Sequence, residues 1–183
     1  MSEKKSRIIT EFAQAGWKLT DLLAAQFVRY YELLVEWNEK MNLTAITDFD
    51  EVVIKHFIDS VTGSLVCDFS VVDNVLDLGT GAGFPGIPLK ILYPDTEFVL
   101  MDSLNKRITF LQKVIDQLGL KKITAVHGRA EEMARNVSYR EKFDVCTSRA
   151  VANTSTLLEY CMPFVKVHGC FVAYKSGKFQ EEI

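Results

Sequence analysis

The chain has 183 residues, nearly half of them apolar and a quarter charged, with a formal charge of -3. That is enough for one domain with a sizeable core plus a small extension, and the composition is that of a globular protein rather than a disordered or fibrous one. No apolar run approaches the ~20 residues of a membrane-spanning helix, and Met1 to Gly16 is charged and amphipathic without a signal-peptide core, so the expected location is cytoplasmic.

In chain order, Thr20-Asp21 reads as a helix start. Leu23, Phe27, Tyr30, Leu34, Trp37 and Met41 follow at alternating steps of four and three, one apolar stripe along a long helix. After the turn-like NLTAITD, Asp48 or Asp50 can cap a further helix through EVVIKHFIDSV, in which Val53, Phe57 and Val61 share a face. Residues 1–63 are therefore expected to form a helical extension, and residues 64–183 a unit of a different kind.

From there β-rich runs alternate with amphipathic segments. The runs are NVLDLG, EFVLMD, KITAVHG, FDVCTSRA and CFVAYKS. Between them lie PLKILYP, NKRITFLQKVIDQLG with Gly119 as its C-cap, AEEMARN and STLLEYCMPFV. Such alternation is the signature of an α/β fold: a parallel sheet covered by helices on both faces, with its ligand crevice at the carboxyl ends of the strands.

Cys67, Cys146, Cys161 and Cys170 form no close pair in sequence and sit mostly in apolar segments, so buried structural thiols are expected. His56, His127 and His168 lack the spacing of a metal site, and no bound metal is expected. Charge is uneven. Between Ser103 and Lys142 lie nine basic residues (Lys106, Arg107, Lys113, Lys121, Lys122, Arg129, Arg135, Arg140, Lys142) and four acids (Asp116, Glu131, Glu132, Glu141), leaving +5 there and -8 elsewhere. The strip is either a solvated face or a phosphate-contacting surface beside a pocket.

The stretch DLGTGAGFPG, residues 77–86, joins the first strand to its helix. Read from Gly81 it fits G-x-G-x-x-G, a dinucleotide fingerprint. Read from Asp77 it is an acid two residues ahead of a G-x-G-x-G loop, the pattern of methyltransferases that use S-adenosylmethionine. The glycines alone do not choose. Pro85 and Pro88 remove two N–H donors that a pyrophosphate needs at a helix N-terminus, and Asp77 would repel a dianion but suits a sulfonium and an ammonium. Asp102, 19 residues after Gly83, ends the second strand, where its carboxylate can accept from both ribose hydroxyls. After the third strand the Ala130 N–H and the Glu131 carboxylate can meet the adenine edge; the other reading of Glu131 is a helix-start acid favoured by the macrodipole. The set expected to bind S-adenosyl-L-methionine is Asp77, Gly79, Gly81, Gly83, Asp102, Ala130 and Glu131. Two rivals stay open: an NAD-dependent oxidoreductase, on the strength of GAGFPG, and a nonenzymatic nucleotide-binding module.

With WNEKMNLTAIT, VVIKHFIDS, VLDLGTGAGFPGIPLKI and TSRAVA in view, the chain from about Tyr30 to Lys175 resembles the bacterial 16S ribosomal RNA guanine-N7 methyltransferase family, also called glucose-inhibited division protein B. The resemblance implies a Rossmann-like class I S-adenosylmethionine-dependent methyltransferase sheet. It also implies methyl transfer to N7 of a guanosine in the 530 loop of 16S ribosomal RNA, free or in the small ribosomal subunit. It carries cofactor contacts to Gly79, Phe84, Ala130, Glu131 and Arg149, with Asp102 in the ribose position. Methyltransferases with this fold usually end in two further strands, an antiparallel hairpin at the sheet edge; this sequence stops first, so those strands are expected to be missing, and YKSGK matches the family only loosely.

Guanine N7 is unprotonated at neutral pH and needs no general base. The sequence agrees: no Asn-Pro-Pro-Tyr segment follows the fourth strand, and Cys146 lacks the flanking proline of enzymes that methylate pyrimidine C5 through an adduct. Catalysis then rests on proximity and orientation. Positive charge moves onto the purine, so a cation aimed at N7 would oppose the reaction. Arg149, the one catalytic candidate, is expected to hold the cofactor carboxylate, guanine O6 or a phosphate; the alternative is a structural salt bridge at the end of the fourth strand. Because an A-form major groove is closed to side chains, the target must be unpaired. Asn42, His56 and Asp59 either help form an RNA-facing rim or serve as caps and core.

Overall fold

The computed structural model describes residues 2–149 and 153–175. Helix α1 (Glu3–Gln14) buries Ile8 and Phe12. Helix α2 (Asp21–Met41) begins where Thr20 Oγ1 accepts from the Leu23 amide at 3.3 Å, and stops at Asn42, left-handed with φ 49°. Its expected stripe faces inward: Phe27, Tyr30 and Leu34 are fully buried, and Leu23, Trp37 and Met41 pack against the same core.

The next segment is not the single regular helix that its pattern suggests. Asp48 caps α3 (Phe49–Val52), which widens into a π-helical turn (Val53–Ile58) before α4 (Asp59–Val61) and a 3-10 turn (Thr62–Leu65). Val53, Phe57 and Val61 still point inward, as their spacing predicts. The wide turn has a local partner: the Lys55 carbonyl accepts from Arg149 at 3.2 Å.

Strands β1 (Asn74–Leu78), β2 (Glu97–Asp102), β3 (Ile123–His127), β4 (Phe143–Arg149) and β5 (Val165–Tyr174) form a sheet of order β3-β2-β1-β4-β5. Every pairing is parallel. Helices α5 (Gly86–Leu92), α6 (Asn105–Leu118), α7 (Ala130–Met133) and α8 (Thr154–Cys161) alternate with the strands. Side-chain alternation sorts the faces. Phe98 and Leu100 of β2 pack on the side of α5 and α6, whereas Met101, Leu76 and Leu78 join Phe164 and Cys161 on the side of α7 and α8. The fold is thus the α/β sheet with two covered faces expected from the alternation of elements.

Two details depart from expectation. Strand β5 begins at Val165, earlier than CFVAYKS implies, because a bulge at His168 (φ 68°) and Gly169 lets the preceding residues pair with β4. And only Cys146 and Cys161 are buried: Cys170 is exposed and Cys67 half-buried, their sulfurs 4.0 Å apart, since β5 lies at an edge of the described sheet.

The helical extension and the sheet share one hydrophobic cluster, running from Ile8 through α2 to Leu118 of α6. Its spine is aromatic. Phe12 meets Phe27 at 4.8 Å, Phe27 meets Phe57 at 5.1 Å, Phe57 meets Tyr30 at 5.3 Å, and Tyr30 meets Phe84 of the glycine loop at 5.4 Å. At its end Tyr30 donates its buried hydroxyl to the Ala82 carbonyl at 2.5 Å. Among the described residues no helix is long and apolar enough to cross a membrane, and no three metal-ligating side chains converge.

Candidate active site

The turn after β1 opens at the carboxyl ends of β1, β2 and β4, as a parallel sheet requires. Its backbone is held from within. The amides of Gly79 and Thr80 donate to Met101 O, those of Gly83 and Phe84 to Thr80 O, that of Ile87 to Gly83 O and that of Leu89 to Pro85 O. Gly81 donates to Asp102 Oδ2 at 2.9 Å, and Gly86 to Asp77 Oδ2 at 2.8 Å. Pro85 and Pro88 have no amide to give. The N-terminus of α5 therefore has no cradle of amides for a phosphate.

Asp77 corrects the sequence reading. Its carboxylate, expected beside a ligand's cation, is fully buried beneath α5 and accepts from Thr80 Oγ1 at 2.6 Å, from the Gly86 amide, and from Thr147 Oγ1 at 3.2 Å. Burial pushes its pKa up to about 6, against the opposing pull of those three hydrogen bonds. The cause is visible in the strand period: Asp77 lies on the same face as Val75, opposite Leu76 and Leu78. Gly83 is a second correction. With φ 100°, its missing Cβ would sit 2.5 Å from Ile87 Cδ1 and 2.8 Å from the Tyr30 hydroxyl, so it makes room for packing and lines neither chamber of the cleft.

The other expected residues do converge. Gly79, Gly81, Phe84, Asp102 and Arg149 line a chamber of about 390 Å³. A second chamber of about 230 Å³ continues past Gly79 and Asp102 to Ala130 and Glu131. Asp102, between the two, is almost wholly buried and already loaded: besides the Gly81 amide, it accepts from Leu104 N at 2.9 Å and Arg107 Nη1 at 3.2 Å. Glu131 is exposed at the mouth of this chamber, which Tyr160 also lines, and its charge raises the Tyr160 hydroxyl pKa.

Arg149 leaves the end of β4 and locks onto the π-helical turn. Nη1 donates to Asp59 Oδ2 at 3.0 Å and to Lys55 O, Nη2 lies 3.2 Å from His56 Nδ1, and the guanidinium lies 4.9 Å over the Phe84 ring. The structural salt bridge offered as the alternative role is present, yet the side chain also lines the cleft. His56 Nδ1 lies 3.2 Å from both Arg149 Nη2, which only donates, and Lys55 O, which only accepts, while Nε2 lies 2.8 Å from Thr44 Oγ1, so both neutral tautomers find partners. Burial, then Arg149, holds the His56 pKa down to about 4. Asn42 takes no part here; it is the left-handed cap of α2.

Sequence reasoning missed Thr44, Arg107 and Tyr160. Nothing in the local pattern marks Thr44 or Tyr160, whose roles depend on chain brought in from elsewhere. Arg107 falls inside the basic stretch, one of nine candidates without a distinguishing mark. The end of SRAVA, Ala150 to Ala152, and the SGK that follows Lys175 lie outside the described residues.

A parallel sheet with a glycine-loop cleft of this kind defines the Rossmann-like fold of class I methyltransferases. Solved structures share it: a protein described as an O-methyltransferase from Klebsiella pneumoniae (TM-score 0.60, 13% identity, 94% of this chain and 74% of that one). Another, described as a caffeoyl-CoA O-methyltransferase from Staphylococcus aureus, gives TM-score 0.57 at 14% identity over 99% of this chain and 84% of that one. At such identities the likeness is one of fold. The chain belongs to the GidB family, rRNA small subunit methyltransferase G, whose model matches residues 23–183. Among similar proteins carrying the name ribosomal RNA small subunit methyltransferase G, one from Lachnoclostridium phytofermentans is 56% identical over 97% of this chain and 74% of its own length. Another, from a Thermoanaerobacter species, is 53% identical over 100% of this chain and 77% of its own length.

Proposed function

We propose that this methyltransferase uses S-adenosylmethionine to methylate N7 of a guanosine in the 530 loop of 16S ribosomal RNA, in the cytoplasm where ribosomal subunits are built. The observation that carries the choice of donor is the internal use of the amides around the glycine turn and the start of α5, which suits a nucleoside without phosphates. When bound, S-adenosylmethionine supplies an electrophilic methyl group on a sulfonium. The residues that would hold it are Asp102 for the ribose, Ala130 and Glu131 for the adenine, and the backbone at Gly79 and Gly81 along the turn. Asp102 has room for ribose hydroxyls only if one present partner yields. Arg107, a third exposed and on a flexible stem, is the one that can swing away, whereas the amides of Gly81 and Leu104 are fixed.

The state of His56 supports a reaction that needs no base. Its ring is neutral at pH 7, and both ring nitrogens already have partners, Arg149 Nη2 and Lys55 O at Nδ1 and Thr44 Oγ1 at Nε2. A site built to remove a proton would leave a ring lone pair open. Arg149, pinned to Asp59, Lys55 O and His56, is kept from aiming its charge at N7 and instead orients what lies against Phe84.

Incubating the protein with isotopically labelled S-adenosylmethionine and either 16S ribosomal RNA or small subunits, followed by nucleoside mass spectrometry, tests the reading. Labelled N7-methylguanosine is expected. A different labelled nucleoside, or binding of NAD in preference to S-adenosylhomocysteine, would overturn it.

A further inference from the structure

Arg149 and His56 border two adjoining spaces. One is the chamber of the glycine turn; the other is a neighbouring cavity of about 730 Å³ between the π-helical turn and the end of β5. Its wall carries the apolar side chains of Ile54, Val66 and Val172, and Asp59 stands in it with half of its side chain open to solvent. Flat apolar surface beside a few fixed polar groups is what an extruded nucleobase requires. The polar pair is ordered: Asp59 accepts, and 3.0 Å away Arg149 donates.

That order matches one purine edge. Guanine presents N1–H and N2–H₂ as donors next to O6 as an acceptor, so a carboxylate can take the two donors while a neighbouring cation faces O6. Adenine would set its N1 lone pair against the carboxylate. Contact through this edge leaves N7 unbonded. An arginine free to fork would cover O6 and N7 together; here the guanidinium is already tied to Asp59 and Lys55 O through Nη1 and lies against the His56 ring through Nη2, which fixes its orientation. As positive charge develops on the purine during methylation, a carboxylate at N1–H becomes a stronger partner.

We propose that this cavity receives the target guanine of the RNA and that Asp59 is the residue that selects it. The proposal rests on the functional reading above and names the subsite in which the acceptor base sits.

The test compares methyl transfer to two synthetic RNAs of the target loop, one with guanosine and one with inosine at the methylated position, by wild type and Asp59→Asn. Inosine keeps N7 and N1–H but lacks the 2-amino group. Wild type is expected to prefer guanosine by about tenfold or more in kcat/KM, the scale of one lost charge-assisted hydrogen bond. Asp59→Asn, whose amide oxygen can still accept from Arg149, is expected to lower transfer to guanosine and bring the two RNAs within about threefold, with S-adenosylhomocysteine affinity unchanged. An undiminished guanosine preference in Asp59→Asn, or none in wild type, would overturn the subsite alone. So would a parallel loss of S-adenosylhomocysteine affinity, which would place Asp59 in service of the other chamber. No methylation of either RNA, or of ribosomal RNA, would overturn the functional reading itself.

Discussion

Asp77 and His56 are buried ionisable groups whose pKa values move in opposite directions, and the acid stability of the protein depends on both. Asp77 has a folded pKa of about 6 against 3.8 unfolded. The folded state binds the extra proton, so this group adds stability as pH falls through 6 toward 3.8. His56 has a folded pKa of about 4 against 6.5 unfolded. Its contribution is complete above pH 6.5 and is lost as pH falls toward 4. Between pH 4 and 6 the two offset each other. Melting curves across that window should show Asp77→Asn losing stability relative to wild type as pH drops, and His56→Gln gaining it; difference curves of the same sign would refute the linkage. Asp102 is tested by binding. Asp102→Ala should weaken S-adenosylhomocysteine at least about tenfold by calorimetry, since a charged hydrogen bond is worth ~1.5 to 3 kcal/mol, and near-native affinity would remove the ribose assignment. What sequence could not supply at this scale is the set of partners each carboxylate finds: Asp77 and Asp102 both end strands, yet one serves the inside of the turn and the other faces the cleft.

At the level of elements, α2 belongs to the site although it carries none of the expected ligands. Tyr30 ties it to the glycine turn through the Ala82 carbonyl, and Gly83 leaves the space that this contact needs. Tyr30→Phe removes one buried donor and should cost about 1 kcal/mol of stability. Because the loosened segment is the turn itself, KM for S-adenosylmethionine should rise severalfold while kcat stays close to wild type; equal loss of both would place the effect elsewhere. Gly83→Ala should be harsher, at roughly 2 kcal/mol or more, since it combines a left-handed φ with a clash against Ile87 and Tyr30. Strand and helix identities were legible here because burial imposes a period on sequence. The stripe of α2 and all five strands followed from it. The π-helical turn did not, because Val53, Phe57 and Val61 keep their inward spacing through it and the widening shows only in where Lys55 O and Arg149 meet.

For the molecule as a whole, the basic stretch proves to be divided. Lys106, Arg107 and Arg129 follow the carboxyl ends of β2 and β3, beside the cleft, whereas Lys121, Lys122 and Lys142 precede β3 and β4 at the opposite end of the sheet. Sequence clustering could not reveal this, because a parallel strand carries the chain from one end of the sheet to the other within a few residues. Charge reversal should therefore discriminate. Lys106→Glu and Arg129→Glu are expected to weaken RNA association and flatten its salt dependence by about one unit of slope each, while Lys121→Glu and Lys142→Glu leave both nearly unchanged. Filter binding over a salt series measures this, and equal effects at the two ends would argue for a diffuse surface.

The closed backbone around the glycine turn also sets the terms for inhibitor design. Main-chain bonds are not altered by exchanging side chains at the surface, so triphosphate mimics and other anionic scaffolds begin with a deficit that no nearby lysine repairs. If the proposed ribose contact at Asp102 holds, uncharged or cationic nucleoside analogues that displace Arg107 start from the better position, and they would engage a carboxylate that also steadies Gly81.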